Sequence, residues 1–504
     1  MASAYAIRGC RVASVLLAID QGTTGTTCIV FSLDGDELGR AYAEFTQHFP
    51  KPGWVEHDAA EILKVTLEVA NEALDEAGAM PGYLAGVGIT NQRETTVLWD
   101  RETGRPLGPA IVWQDRRTAT RCDELRAAGH EQLIRERTGL VLDSYFSATK
   151  AEWLISNSDE AREAVAAGRA MFGTIDSWLV WNLTGEHVTD PSNASRTLLF
   201  DIGRGRWDPD LLELFGISEA MLPRIVPSVG VVADVRPELL DGRSAPIAGI
   251  LGDQQSALFG QGCFSPGEAK ATYGTGSFIL MNSGRAAPQP VDGLLSTVAW
   301  GIGGSLDYAL EASVFVAGAA VQWLRDGLGL IESAAETEEL ARSLAGNDGV
   351  HFVPALTGLG SPWWDPNARG TITGITRGTT RAHLARATLE GIAFQVADAV
   401  GAMLGLAGAE LGELRADGGA TANDWLMQFQ ADLLGVPVSV PEIAETTALG
   451  AALAAGVGVG AMTLSDAQQG RRVRAMFEPQ ITDDARGELI DGWRGALAQA
   501  RLSS

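Results

Sequence analysis

Residues 18–27 read AIDQGTTGTT and close the apolar run VLLAI. An acid, a glutamine and a cluster of glycines and threonines at the end of a strand are chemically suggestive. A hairpin turn of Gly and Thr gathers backbone N–H groups and hydroxyls at one point, which makes an anion nest. Gly25 lets the backbone approach closely, and Thr23 and Thr24 add side-chain donors. Phosphate oxygens suit such donors. Asp20 would oppose a bare phosphate, but it makes sense with Mg²⁺ between them, held largely through waters. The plain alternative is a tight hairpin with Asp20 as a turn residue. No G-x-x-x-x-G-K-[ST] occurs, which excludes a P-loop nucleotidase. Residues 269–281, AKATYGTGSFILM, repeat the strand–turn–strand plan, so Thr275 and Gly276 would meet the same phosphates from the other side.

Other residues offer acid–base and polyol chemistry. Asp253, in GDQQ after the run PIAGIL, is placed to accept the proton of a hydroxyl as it attacks phosphorus. Its alternative is a loop-capping acid. In Asn91-Gln92-Arg93-Glu94, Arg93 donates and Glu94 accepts, a pair suited to a polyhydroxylated molecule. The alternative is a surface ion pair worth little. Trp113 in IVWQDRR and Tyr145 in DSYFSATK supply a flat apolar wall and one hydroxyl, or else simply pack a core. DGGATAND, 417–424, would let a base and ribose lie on bare backbone at Gly418 and Gly419, with Asn423 hydrogen-bonding the base.

The elements that must hold these residues alternate between strand and helix, an α/β pattern. Strands ending in small or polar loops recur at GVGIT-NQRE, PIAGIL-GDQQ and ELRAD-GGATAND. Helices are expected from Asp58, whose spacing to Glu61 is that of a capping box, and over 381–404, 422–434 and 447–455. Two Gly/Thr hairpins far apart in the chain imply two similar halves facing across a cleft. A chain of 504 residues exceeds one ordinary core. The expected division is an extension over 1–14, an N-terminal domain over 15–255 and a C-terminal domain over 256–504. VLLAI reads as the first core strand rather than part of a signal peptide, and no apolar run reaches the ~18–20 residues of a membrane span. Four scattered cysteines without a C-x-x-C fit a reducing, cytoplasmic setting. A net charge of −25 argues against nucleic acid and anionic membranes as partners.

Over nearly the whole chain, Val15 to Trp493, the sequence resembles the FGGY carbohydrate kinases. The resemblance is carried by AIDQGTTGTT, GITNQRETTVLW, AIVWQDRRTA, TGLVLDSYFSATK, GDQQSALFGQ, TYGTGSF, VPALTGLGSPWWDP, DGGATANDWLMQFQADLLG and ETTALGAALAAG. It implies two ribonuclease H-like domains, of the actin and hexokinase type, flanking an active-site cleft. It implies ATP-dependent phosphorylation of glycerol to glycerol 3-phosphate, the first step of glycerol catabolism, in a cytoplasmic homodimer or homotetramer. By motif position Asp253 would be the general base. Arg93, Glu94, Tyr145, Asp253 and Gln254 would hold the glycerol hydroxyls, with Trp113 and Phe278 on its carbons. Asp20 would serve Mg²⁺, and Thr23, Thr24, Gly25 and Thr275 would hold ATP phosphates. Gly276, Gly318, Gln322, Gly419 and Asn423 would line the nucleotide. Pocket size weighs against a pentulose or erythritol, and NQRETT weighs against an actin-like ATP-binding module. Three departures stand out. Thr27 replaces a usual Arg, which bears on ATP affinity. LLDGRSAP, 239–246, is short where some members bind fructose 1,6-bisphosphate. Residues 221–250 lack the histidine that other members phosphorylate.

Overall fold

The computed structural model describes residues 14–502, so the expected N-terminal extension lies, through residue 13, outside the described residues. The first strand, β1 (Val15–Gln21), turns into β2 (Gly25–Ser32) and then β3 (Glu37–Glu44), an antiparallel meander. Helix α1 (Ala59–Glu76) follows. Next come β4 (Leu84–Asn91), parallel to β1, and β5 (Pro246–Gly252), parallel to β4. The half-sheet order is therefore β3-β2-β1-β4-β5, and α2 (Asp253–Gly260) leaves the end of β5. The expected boundary at 255/256 falls within α2.

The second half repeats the order. Strands β6 (Ala269–Tyr273), β7 (Ser277–Gly284) and β8 (Ser305–Val314) form the meander. Helix α3 (Arg381–Ala407) leads to β9 (Leu414–Asp417), which lies parallel beside β6. Helix α4 (Asp424–Leu434) leads to β10 (Val438–Pro441), parallel to β9, and α5 (Thr446–Gly458) follows. This β8-β7-β6-β9-β10 order matches that of the first half, as two similar halves would have it. Strands Val229–Asp234 and Leu295–Ile302 join the halves into one thirteen-stranded sheet.

The inner strands read as unbroken apolar runs because both their faces are covered. On one side Leu17, Ile19, Val87 and Ile89 pack with Ile62 and Val69 of α1. On the other, Leu16, Ala18 and Ile29 pack with Ala448, Ala451 and Ala455 of α5. A helix late in the chain thus completes the core of the first half. Its small residues are a steric requirement: a Cβ on Gly450 would lie 1.8 Å from the Ser256 carbonyl oxygen of α2. Helix α3 is long and apolar enough to cross a membrane, but Leu389, Ile392, Val396, Val400 and Met403 are buried in the core of the second half. Asp58 caps α1 as expected, accepting from the N–H groups of Ala60 (2.8 Å) and Glu61 (3.4 Å). Its capping-box partner acts elsewhere: the Glu61 carboxylate accepts from the Thr46 N–H and hydroxyl, tying the preceding loop to the helix.

Candidate active site

The site begins with register. Thr90 and Asn91 of β4 lie beside Leu251 and Gly252 of β5, so the residues that follow leave the sheet together. Arg93 and Asp253 accordingly meet, Nε to Oδ1, at 3.0 Å. Gly252 makes room, since a Cβ there would lie 2.7 Å from Arg93 Cδ. Asp253 opens α2, where the helix N-terminus favours a carboxylate, and Oδ1 accepts from the Gln254 N–H at 2.7 Å. Its side chain is 34% exposed, whereas Arg93 and Glu94 beside it are buried. Glu94 has φ +62°, a left-handed conformation that is rare for a residue with a side chain.

Two residues that the sequence reading missed organise this set. Glu311 of β8 takes the Arg93 fork, with Oε2 to Nη1 at 2.6 Å and Oε1 to Nη2 at 3.2 Å. The same Oε1 accepts from Arg196 Nη2 at 3.2 Å, and Arg196 Nε donates to Glu94 Oε1 at 2.6 Å. Burial pushes the Glu311 carboxyl up, but the guanidiniums of Arg196 and Arg93 prevail and hold it down at about 2. For Glu94 burial prevails over its arginines, and the carboxyl is raised. The available signal for Glu311 was a single acid inside the apolar strand YALEASV. Arg196, in SNASRT, had no local signal.

The two aromatic residues come together. The Trp113 and Tyr145 rings meet edge to face, 5.5 Å apart. Trp113 Nε1 donates to Thr23 Oγ1 at 2.9 Å, joining the wall to the first hairpin. Buried Lys150 fixes the loop that carries Tyr145, donating to the carbonyls of Ser144 and Tyr145, each at 2.6 Å, and of Phe146 at 3.2 Å. Burial depresses its ammonium to about 8. Gln254 accepts from Lys270, which also donates to Thr272 Oγ1 at 2.8 Å. Phe278 is the cross-strand partner of Thr272 and is half-buried.

The first hairpin is as tight as its sequence requires. The Gly22 N–H closes the turn on the Gly25 carbonyl at 2.9 Å, and a Cβ on Gly25 would lie 2.6 Å from the Ala43 oxygen. Thr23 is half-buried and Thr24 exposed at the turn. Asp20 pairs across the strands with Thr27. Burial, then the Asp253 carboxylate, then that of Glu445, push the Asp20 carboxyl up to about 8. A carboxylate facing two others favours a cation beside it. Among the described residues no group of three or more acids, histidines or cysteines forms a protein-only metal site, so a cation here would keep most of its ligands as water or phosphate. Thr27 brings no charge to the hairpin. Arg40, on the neighbouring strand, pairs with Glu445 at 2.6 Å.

On the far side of the second hairpin is a cavity of about 370 Å³. Thr275, Gly318, Gln322, Gly419 and Asn423 all line it; the sequence reading assigned the first to a phosphate and the others to the nucleotide. Val321, Leu389, Ile392 and Leu426 give it apolar walls, and Arg325 and Thr337 add polar groups that were not anticipated. Gly276 acts one step back, where a Cβ would lie 2.5 Å from the Val314 oxygen, so it lets β8 approach the turn. Gly418 adopts φ +91° against Tyr273. The Asn423 amide is already engaged: Oδ1 caps α4 on the Leu426 N–H at 2.9 Å, and Nδ2 donates to Thr337 Oγ1 at 3.3 Å. One hairpin thus serves both places, with Thr275 on the cavity and Lys270 and Thr272 beside Gln254.

Comparison with known proteins agrees with this arrangement. Residues 15–260 match the N-terminal domain of the FGGY family of carbohydrate kinases, and residues 269–459 match its C-terminal domain. A glycerol kinase of Dechloromonas aromatica is 57% identical over 96% of this chain and 97% of its own. One of Aromatoleum aromaticum is 56% identical over 97% and 99%. The crystal structure of Plasmodium falciparum glycerol kinase with ADP superposes with a TM-score of 0.93 at 38% identity, covering 97% of this chain and 98% of that one. With both family domains matched in order along the chain, the protein belongs to the FGGY family of carbohydrate kinases.

Proposed function

We propose that this chain phosphorylates glycerol with ATP, giving sn-glycerol 3-phosphate and ADP. The observation that carries the reading is Asp253, a partly exposed carboxylate held at 3.0 Å by Arg93 and followed by Gln254, which meets Lys270 of the hairpin whose Thr275 lines the cavity. The relatives named glycerol kinase support the choice of substrate. Arg93, Glu94, Tyr145 and Gln254 hold hydroxyls, while Trp113 and Phe278 pack on the carbons. Thr23, Thr24, Gly25 and Thr275 receive phosphates. Gly276, Gly318, Gln322, Gly419 and Asn423 frame the nucleotide. As the 3-hydroxyl attacks the γ-phosphorus in line, Asp253 takes its proton, and closure of the halves excludes water as a competing nucleophile.

Asp20 is the residue that would hold Mg²⁺, and its acid-facing position fits a cation. When bound, that ion neutralises charge on the phosphates. With Thr27 in place of an Arg, backbone donors and the ion carry more of that task. Arg243 of the short 239–246 segment donates to the Ala79 carbonyl at 2.7 Å and pairs with Asp75, which supports a reading without fructose 1,6-bisphosphate control. The working division is 15–255 and 256–504, in a cytoplasmic homodimer or homotetramer. A coupled ADP-release assay with glycerol, dihydroxyacetone, erythritol and xylulose tests the substrate. Glycerol is expected to give the highest kcat/KM, and a clear preference for xylulose would overturn the assignment.

A further inference from the structure

Five charged side chains alternate in sign through the buried centre: Asp253, Arg93, Glu311, Arg196 and Glu94. Their contacts run 3.0 Å from Asp253 to Arg93, 2.6 Å from Arg93 to Glu311, 3.2 Å from Glu311 to Arg196 and 2.6 Å from Arg196 to Glu94. The two ends are the carboxylates assigned to the substrate. The middle is Glu311, delivered by a strand of the second half, while Arg93 and Glu94 follow a strand of the first. Arg196 also lies over the rings of Tyr145, at 5.6 Å, and Phe146, at 5.2 Å.

We infer that Glu311 and Arg196 are positioning residues for polyol binding. Glu311 occupies both terminal nitrogens of Arg93, which turns Arg93 Nε onto Asp253. It holds Arg196 as well, and Arg196 in turn sets Glu94 and backs Tyr145. Without Glu311 two guanidiniums lose the carboxylate that separates them, and both substrate acids lose their fixed places. A fork is needed at both arginines, because each meets two carboxylates through planar N–H directions fixed in advance, which a compact ammonium on a flexible stem does not supply. The polyol set is thereby referenced to the second half, so its geometry depends on how the halves are packed. The inference rests on the polyol-kinase reading above.

The test uses Glu311→Gln and Arg196→Lys, each assayed for thermal unfolding, ATP affinity by calorimetry, and steady-state kinetics with glycerol. Both are expected to bind ATP within twofold of wild type, while KM for glycerol rises 10- to 100-fold and kcat falls. A folded variant with an unchanged glycerol KM overturns the inference. So does parallel weakening of ATP and glycerol, which marks a purely structural role. Glu311→Gln leaves buried cations underpaired, so Arg196→Lys, which keeps the charge but not the fork, decides the matter if the first variant does not fold. The wild-type substrate panel separates the two readings. If a different polyol is preferred there, the glycerol assignment fails, and the positioning claim is read from the KM of that polyol.

Discussion

At the scale of residues, the carboxylates around the site lie in unlike surroundings. Glu311 is held low by two guanidiniums, whereas Asp20 is pushed to about 8 by burial and by the acids Asp253 and Glu445. A carboxyl whose folded value is raised favours the protonated form in the native state. Ionising Asp20 therefore costs native stability as pH rises from about 4 towards about 8, in the absence of a cation. Asp20→Asn removes that cost. Its melting temperature relative to wild type is expected to climb across pH 4 to 8 without nucleotide, and a pH-independent difference would contradict the assignment. The sequence made Asp20, Asp253, Arg93 and Glu94 legible because each lies at or just past the end of a strand, beside polar residues. Glu311 and Arg196 escaped because their partners lie on distant strands and no spacing rule links them. Asn423 was found, but its amide serves as a helix cap, a role that local sequence does not separate from base recognition.

At the scale of elements, the repeated hairpin was the most informative pattern. A Gly/Thr turn between two apolar runs dictates an antiparallel pair, and both pairs formed in the expected places. The packing of α5 was not legible. Its stretch TTALGAALAAGVG reads as a small-residue helix, but nothing local says that it covers strands laid down hundreds of residues earlier. The contact is made by backbone. A Cβ on Gly88 would lie 2.0 Å from the Ala451 oxygen, and one on Gly260 would lie 2.1 Å from the Thr446 oxygen. Gly450→Ala, which drives a methyl against Ser256, is expected to cost about 1–3 kcal/mol, as overpacking typically does. Because α2 carries Asp253 at its start, the same variant is expected to lower kcat by shifting that helix. Chemical denaturation and turnover together check this, and a variant with wild-type stability would show that the crossing is looser than described.

At the scale of the molecule, exposed ion pairs link the two halves. The pairs Arg40–Glu445, at 2.6 Å, and Arg472–Asp36, at 2.7 Å, bridge residues far apart in the chain, with side chains 37–57% exposed. Exposed pairs contribute little, because water screens them. Arg40→Gln is expected to change stability by under about 1 kcal/mol in denaturant titration. A loss of several kcal/mol would mean that this contact, rather than the buried core, holds the halves together. The two-half architecture was readable from the repeat, but the continuity of one sheet across both halves was not, since the linking strands Val229–Asp234 and Leu295–Ile302 carry no signature of their partners.

The central claim is that the two halves bring a nucleotide and a polyol together at a carboxylate able to take a proton. Glycerol-dependent ADP release by Asp253→Asn, measured beside its ATP affinity, tests this most directly. The account predicts turnover reduced about 10²- to 10⁴-fold with ATP affinity retained. Turnover at the wild-type rate would contradict it.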